Sequence, residues 1–126
     1  MKDNLHKAIS IKQPYANWII NGTKRYEIRS WSTKYRGRLI ICSCQKPVHR
    51  EAPGPNGCIV GEVKLVNIIP FKPSMADGAR LLDWIPDQYA WVLDNPTLAT
   101  NNVPIKGRLS LYELPKEILE EAFNER

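Results

Sequence analysis

The chain has no apolar run long enough to cross a membrane. Its longest apolar stretches lie around "LIIC" and "VKLVNIIPF", well short of the roughly 20 residues a spanning helix needs, so no membrane association is expected. The opening "MKDNLHKAIS" is polar and lacks the apolar centre of a targeting peptide, which predicts a soluble, cytoplasmic protein. Cysteine is scarce: Cys42, Cys44 and Cys58 make an odd count with no CxxC pair. Buried thiols in a reducing compartment are the expectation, because a zinc site built from them with His49 needs four ligands to converge without recognised spacing. No metal and no cofactor are expected. A Walker-type glycine loop, a Rossmann fingerprint, internal repeats and low-complexity segments are also missing, which removes the sequence signatures of the common dinucleotide and repeat architectures.

What is present is a chain of 126 residues, enough for one domain with a core of its own. Its charge is unevenly placed. Residues 1–50 carry eleven Lys or Arg against the two acids Asp3 and Glu27, a net of +9, whereas residues 51–126 carry seven against eleven, a net of −4. One positive face on a single domain would concentrate a polyanion near it and speed encounter.

The periodicity predicts mixed structure. A short strand is expected over 8–11, then a helix in "KQPYANWIINGTK" with Pro14 in its first turn, Tyr15, Trp18 and Ile19 on one packed face, and Gly22 ending it. From Arg25 the period becomes two. Tyr26 and Ile28 fall on one face, and Arg25, Glu27, Arg29 and Trp31 on the other. "RLIICSC" reads as a central strand, "QKPVHREAPGPNG" as a long loop and "CIVGEVKLVNIIPF" as a long bent strand with Gly61 at a bulge or close approach. A helical turn is expected at "ARLLDW", strands at "YAWVLDN" and "IKGRLSLYEL", and a closing helix in "PKEILEEAF". Trp18, Trp84 and Trp91 are expected mainly in the core. The sum is an α+β fold of five to six strands, with a short helix after the first strand and another at the C-terminus.

Several ordered motifs together, "SIKQPYANWIINGTKRYEIRSW", "RGRLIICS", "GCIVGEVKLVNI", "YAWVLDN" and "IKGRLSLYEL", closely resemble the ASCH domain, a PUA-like module also found in transcriptional coactivators. The resemblance implies a PUA-like small β-barrel as one domain over 1–126, core about 9–114, with a cleft between the first helix and the sheet. It also implies an association with RNA, DNA or modified nucleosides. At the positions that line the family's cleft stand Lys12, Gln13, Lys24, Glu27, Arg29 and Trp31, several of which the strand alternation places on one face independently. Ser43 and Lys46 are expected to complete one wall. Lys12, Lys24 and Arg36 suit phosphates, Trp31 offers a stacking plane, and Gln13 and Glu27 can read base or sugar edges.

Each assignment has a structural rival. Glu27 and Arg29 also suit an ion pair that holds the strand, Arg36 a solvated turn, and Trp31 the core. At the level of function the expected partner is a nucleic acid or nucleotide, bound without catalysis. The alternative is a hydrolase acting on RNA or on a modified nucleoside, with Lys24 and Glu27 as acid and base: like charge and partial burial would depress the Lys24 pKa. Against an amidohydrolase, Glu27 occupies the position where those ASCH members carry a threonine, three residues after the lysine matched by Lys24. A regulatory module that uses the cleft for another anion is the third class.

Overall fold

The computed structural model describes residues 5–125. Strand β1 (Leu5–Ile11) is followed by helix α1 (Tyr15–Ile20), then β2 (Tyr26–Arg29), β3 (Gly37–Ser43), β4 (Ile59–Pro70), β5 (Tyr89–Leu98), β6 (Tyr112–Pro115) and helix α2 (Lys116–Phe123). The strands form one curled sheet in the order β2-β5-β4-β3-β1-β6. Only the β1/β3 pair is parallel; its neighbours are antiparallel. A parallel pair needs a long crossover, and α1 with β2 supplies it.

The central strand shows why the sheet has two cores. In β3, Leu39 and Ile41 face the α1 side with Ile9, Ile11, Ala16, Ile19, Val63 and Trp91, while Ile40 and Cys42 face the other with Ala8, Ile59, Tyr112, Leu119 and Ala122. Both sets alternate with period two, and both are apolar, so the strand is covered on its two faces. Curvature comes from irregular register: β4 slips against β3 at Ile41/Cys42 and against β5 at Glu62/Lys64 and Leu65/Asn67, and each bulge bends its strand. Gly61 sits beside these slips because a Cβ there would collide with the Thr97 carbonyl and meet the Ile20 side chain.

Four sequence expectations need correction. First, β1 starts at Leu5, because pairing with β6 runs to Leu5↔Pro115. Second, the buried face of α1 is Ala16, Ile19 and Ile20; Tyr15 and Trp18 are half-buried, and the Trp18 ring lies 4.0 Å from the Arg80 guanidinium carbon. Gly22 follows the helix with φ +87°, a conformation that favours glycine. Third, no helix forms at "ARLLDW": a single 3₁₀ turn spans Pro73–Met75, Arg80 has φ +59°, and Trp84 is partly exposed with its Nε1 donating to the Phe71 carbonyl at 2.8 Å. Fourth, the last strand begins only at Tyr112. Residues 106–110 are exposed and Ser110 has φ +64°, so this stretch leaves the sheet. The β1/β6 pairing stops at Ala8↔Tyr112, and the next carbonyl along that face, on Ser10, accepts from Arg29 Nη2 at 3.1 Å.

Candidate functional site

Where β1 and the segment before β6 part company, the molecule opens a cleft of about 380 Å³. That volume is within the range of about 300 to 1,000 Å³ typical of small-ligand sites. Its walls are Ser10, Ile11 and Lys12 at the end of β1, Tyr15 of α1, Glu27, Ile28 and Arg29 of β2, Cys44 after β3, and Arg108, Leu109 and Ser110. Chain geometry brings these together: the turn after β1 delivers α1 across the end of the sheet, and β2 pairs with β5 so that Glu27 lies opposite Trp91. A second hollow of about 190 Å³ adjoins it, sharing Tyr15, Glu27 and Ile28 and adding Lys24, Leu81, Ile85 and Gln88.

At the junction stand three charged groups. Glu27 Oε2 accepts from Arg29 Nε at 2.9 Å, and Glu27 Oε1 lies 3.7 Å from Lys24 Nζ. Lys24 is 3% exposed; its Nζ donates to the Ala79 carbonyl at 2.5 Å and lies 5.1 Å from the centre of the Tyr15 ring. Burial pushes the Lys24 pKa below the ordinary 10.5, and Arg29 and Arg80 add to this, while Glu27 opposes it. Cys44, at the edge of the cleft, has its thiol pKa raised by burial, so it is a poor nucleophile.

A family model described as the ASCH domain matches residues 9–95. The chain belongs to the ASCH domain family. It is 29% identical over 133 residues to activating signal cointegrator 1 of Homo sapiens, which covers 87% of this chain and 22% of that protein, and 27% identical over 130 residues to the Mus musculus protein of the same name. This ASCH domain thus spans about a fifth of the length of those relatives. Its fold is that of the crystal structure of ASCH from Zymomonas mobilis, with a TM-score of 0.68, 17% identity and 91% of each chain covered. The half-barrel with two short helices is accordingly a PUA-like α+β fold.

Within this ASCH domain the sequence-derived candidates separate into two groups. Lys12, Glu27 and Arg29 line the larger hollow, and Lys24 with Glu27 the smaller. Of the others, Gln13, Ser43, Arg36 and Trp31 make contacts within the fold. Gln13 is fully buried: its Oε1 accepts from the Asn17 N–H at 2.9 Å, and its Nε2 donates to Asn17 Oδ1 and the Pro55 carbonyl, both at 2.9 Å. It thereby satisfies a free amide in the first turn of α1 and ties the 44–57 loop to the helix. Ser43 is buried, with its Oγ donating to the Cys58 carbonyl and accepting from the Cys58 N–H, both at 3.3 Å. Arg36 holds its own turn by donating to the Thr33 and Tyr35 carbonyls at 2.8 Å. Trp31 packs edge-on against Trp91 with ring centres 4.8 Å apart, so that ring leans on the core while staying partly exposed, and it does not line either hollow. Lys46 is exposed on the 44–57 loop and does not line the cleft. The single basic wall expected from these residues is therefore shorter than the sequence suggests.

Sequence reasoning missed Tyr15 as a wall of both hollows, because helical spacing assigned it to packing. It also missed Arg108, Leu109 and Ser110, because Ile105, Leu109 and Leu111 mimic strand periodicity. The one local cue was Gly107, where a Cβ would fall 2.8 Å from Ser10 Oγ.

Proposed function

We propose that this ASCH domain is a nucleic-acid-binding module that accepts an unpaired nucleotide of RNA or DNA in the larger hollow. The observation that supports this most is the grouping of Lys12, Arg29 and Arg108 around a hollow that also has the apolar surfaces of Tyr15, Ile28 and Leu109. Cations meet phosphates and set register, while apolar and aromatic surfaces take a base face. The basic excess of the first fifty residues gives the surrounding field the matching sign.

Anisotropy of labelled single-stranded RNA and DNA across a salt series tests the reading. Affinity should fall steeply with salt, with a log–log slope of about −0.7 per phosphate neutralised. The double change Lys12→Ala and Arg108→Ala should weaken binding and flatten the slope by about 1.4, two contacts' worth. Salt-insensitive binding, or a slope the double variant leaves alone, would sink the proposal.

The hydrolase reading has one observation in its favour, a buried lysine of lowered pKa beside a carboxylate in the adjoining hollow. Against it, Lys24 Nζ is engaged by the Ala79 carbonyl, which suits a structural cation better than a free amine. Arginine stays protonated and supplies no lone pair, so Lys24→Arg separates the two. With acetylated cytidine and with single-stranded RNA, each with and without divalent metal, we expect no product from the wild type. Product formation that Lys24→Arg abolishes would instead establish the hydrolase.

A further inference from the structure

The smaller hollow differs in chemistry from the larger one. Its added walls are Leu81 and Ile85 with the amide of Gln88, and its only cation, Lys24, is buried. The exposed cations, Lys12 and Arg108, line the other hollow. Apolar walls with one amide suit a flat heterocycle, whereas a phosphate needs the cationic rim. At about 190 Å³ against about 380 Å³, this hollow has room for a base and not for a whole nucleotide.

The segment that forms its outer wall is anchored, yet shows apolar side chains to solvent. Trp84 Nε1 donates to the Phe71 carbonyl at 2.8 Å, while Leu82 is fully exposed and Ile85 is 46% exposed. Gln88 Nε2 donates to the Asp87 carbonyl at 3.1 Å, and an amide oxygen can only accept. Contiguous exposed apolar surface marks interaction sites, and Leu81 and Ile85 of this segment line the hollow itself. The two hollows share Tyr15, Glu27 and Ile28 as walls, and the charge of Glu27 is offset by Lys24 and Arg29.

From this juxtaposition we infer that the ligand is a single strand, bound as a step of two consecutive nucleotides, with the neighbouring base entering the Leu81/Ile85/Gln88 hollow. A free nucleoside fills one hollow and leaves the other to water. The inference rests on the nucleic-acid reading of the larger hollow and adds the substrate class: an oligonucleotide in preference to a mononucleotide.

Calorimetric titration with a nucleoside 5′-monophosphate and with a dinucleoside monophosphate, each in ribo and deoxyribo form, tests it with one phosphate in every ligand. The dinucleoside should bind about tenfold tighter, the value of one modest base contact. Ile85→Asp and, separately, Gln88→Ala should bring its affinity down toward that of the mononucleotide; thermal melts confirm that both variants fold. Equal affinity of the two ligands for the wild type overturns the inference and leaves the larger hollow's role standing. A tenfold gain that survives both substitutions also overturns it, since the second base then lies elsewhere. Failure of every nucleotide to bind overturns this inference and the binding function together.

Discussion

Truncating Trp91 to alanine is expected to lower folding stability by about 3 to 5 kcal/mol, the usual cost of a buried aromatic cut back to a methyl, read from urea denaturation of the purified domain. Trp91 is fully buried in the cluster under α1. Its Nε1 donates to the Trp31 carbonyl at 3.2 Å, and its ring meets the Trp31 ring edge-on at an interplanar angle of 81°. The change would therefore lose burial, a hydrogen bond and an aromatic contact together. Trp91 also pairs across the sheet with Glu27, so its loss would loosen the strand that carries the cleft's floor. Trp31→Ala should also destabilise, through the edge-on pair, which is worth about 0.5 to 1.5 kcal/mol beyond area, and through the packing of the ring on the core. A loss of less than about 1 kcal/mol for Trp91→Ala would show that the pair does not hold this corner.

The contrast between these tryptophans shows which parts of the structure were legible beforehand. The apolar run in β3 marked it as a central strand, and its two faces lie in two separate clusters. Period-two alternation put Glu27 and Arg29 on one face, where they are bonded to each other. Local patterns of this kind are set by the residues themselves. Trp31 lies two residues beyond the end of the strand that orders that face, so alternation no longer fixed its direction, and it packs against Trp91. Polar residues were misread for a related reason. Gln13 and Ser43 stand beside the cleft in sequence, but buried amides and carbonyls nearby needed partners, and these two side chains satisfy them. The 105–111 segment was illegible because its apolar spacing is that of a strand, while its departure from the sheet depends on β1, far away in sequence, ending its partnership at Ala8.

Glu27→Ala is expected to be among the most damaging single changes at the cleft, costing about 3 to 5 kcal/mol, because it leaves a buried cation without its anion. Lys24 is the group exposed to that loss: it is 3% exposed, and Glu27 is its only carboxylate within 4 Å among the described residues. Glu27→Gln should cost less, since an amide can still accept from Arg29 Nε. Adding Lys24→Met to Glu27→Ala should recover much of the loss by removing the stranded charge. The depressed Lys24 pKa sets a direction with pH as well. Below its folded-state pKa the protein carries a charged, desolvated lysine at a cost relative to the unfolded chain. Between that pKa and the ordinary 10.5, the unfolded chain binds a proton that the folded one does not, so stability contributed by this group rises with pH and levels off above 10.5. Wild type should therefore gain on Lys24→Met as pH climbs toward that limit. Tyr35, Tyr112, Cys42 and Cys44 have pKa values raised by burial, but they are common to both proteins and cancel in the difference. Removing Glu27 takes away the one attraction that raises the lysine's pKa, so the window should open at lower pH in Glu27→Ala. A difference between wild type and Lys24→Met that stays flat with pH would mean that Lys24 is solvated in the folded protein, and the stability argument for Glu27 would fall with it.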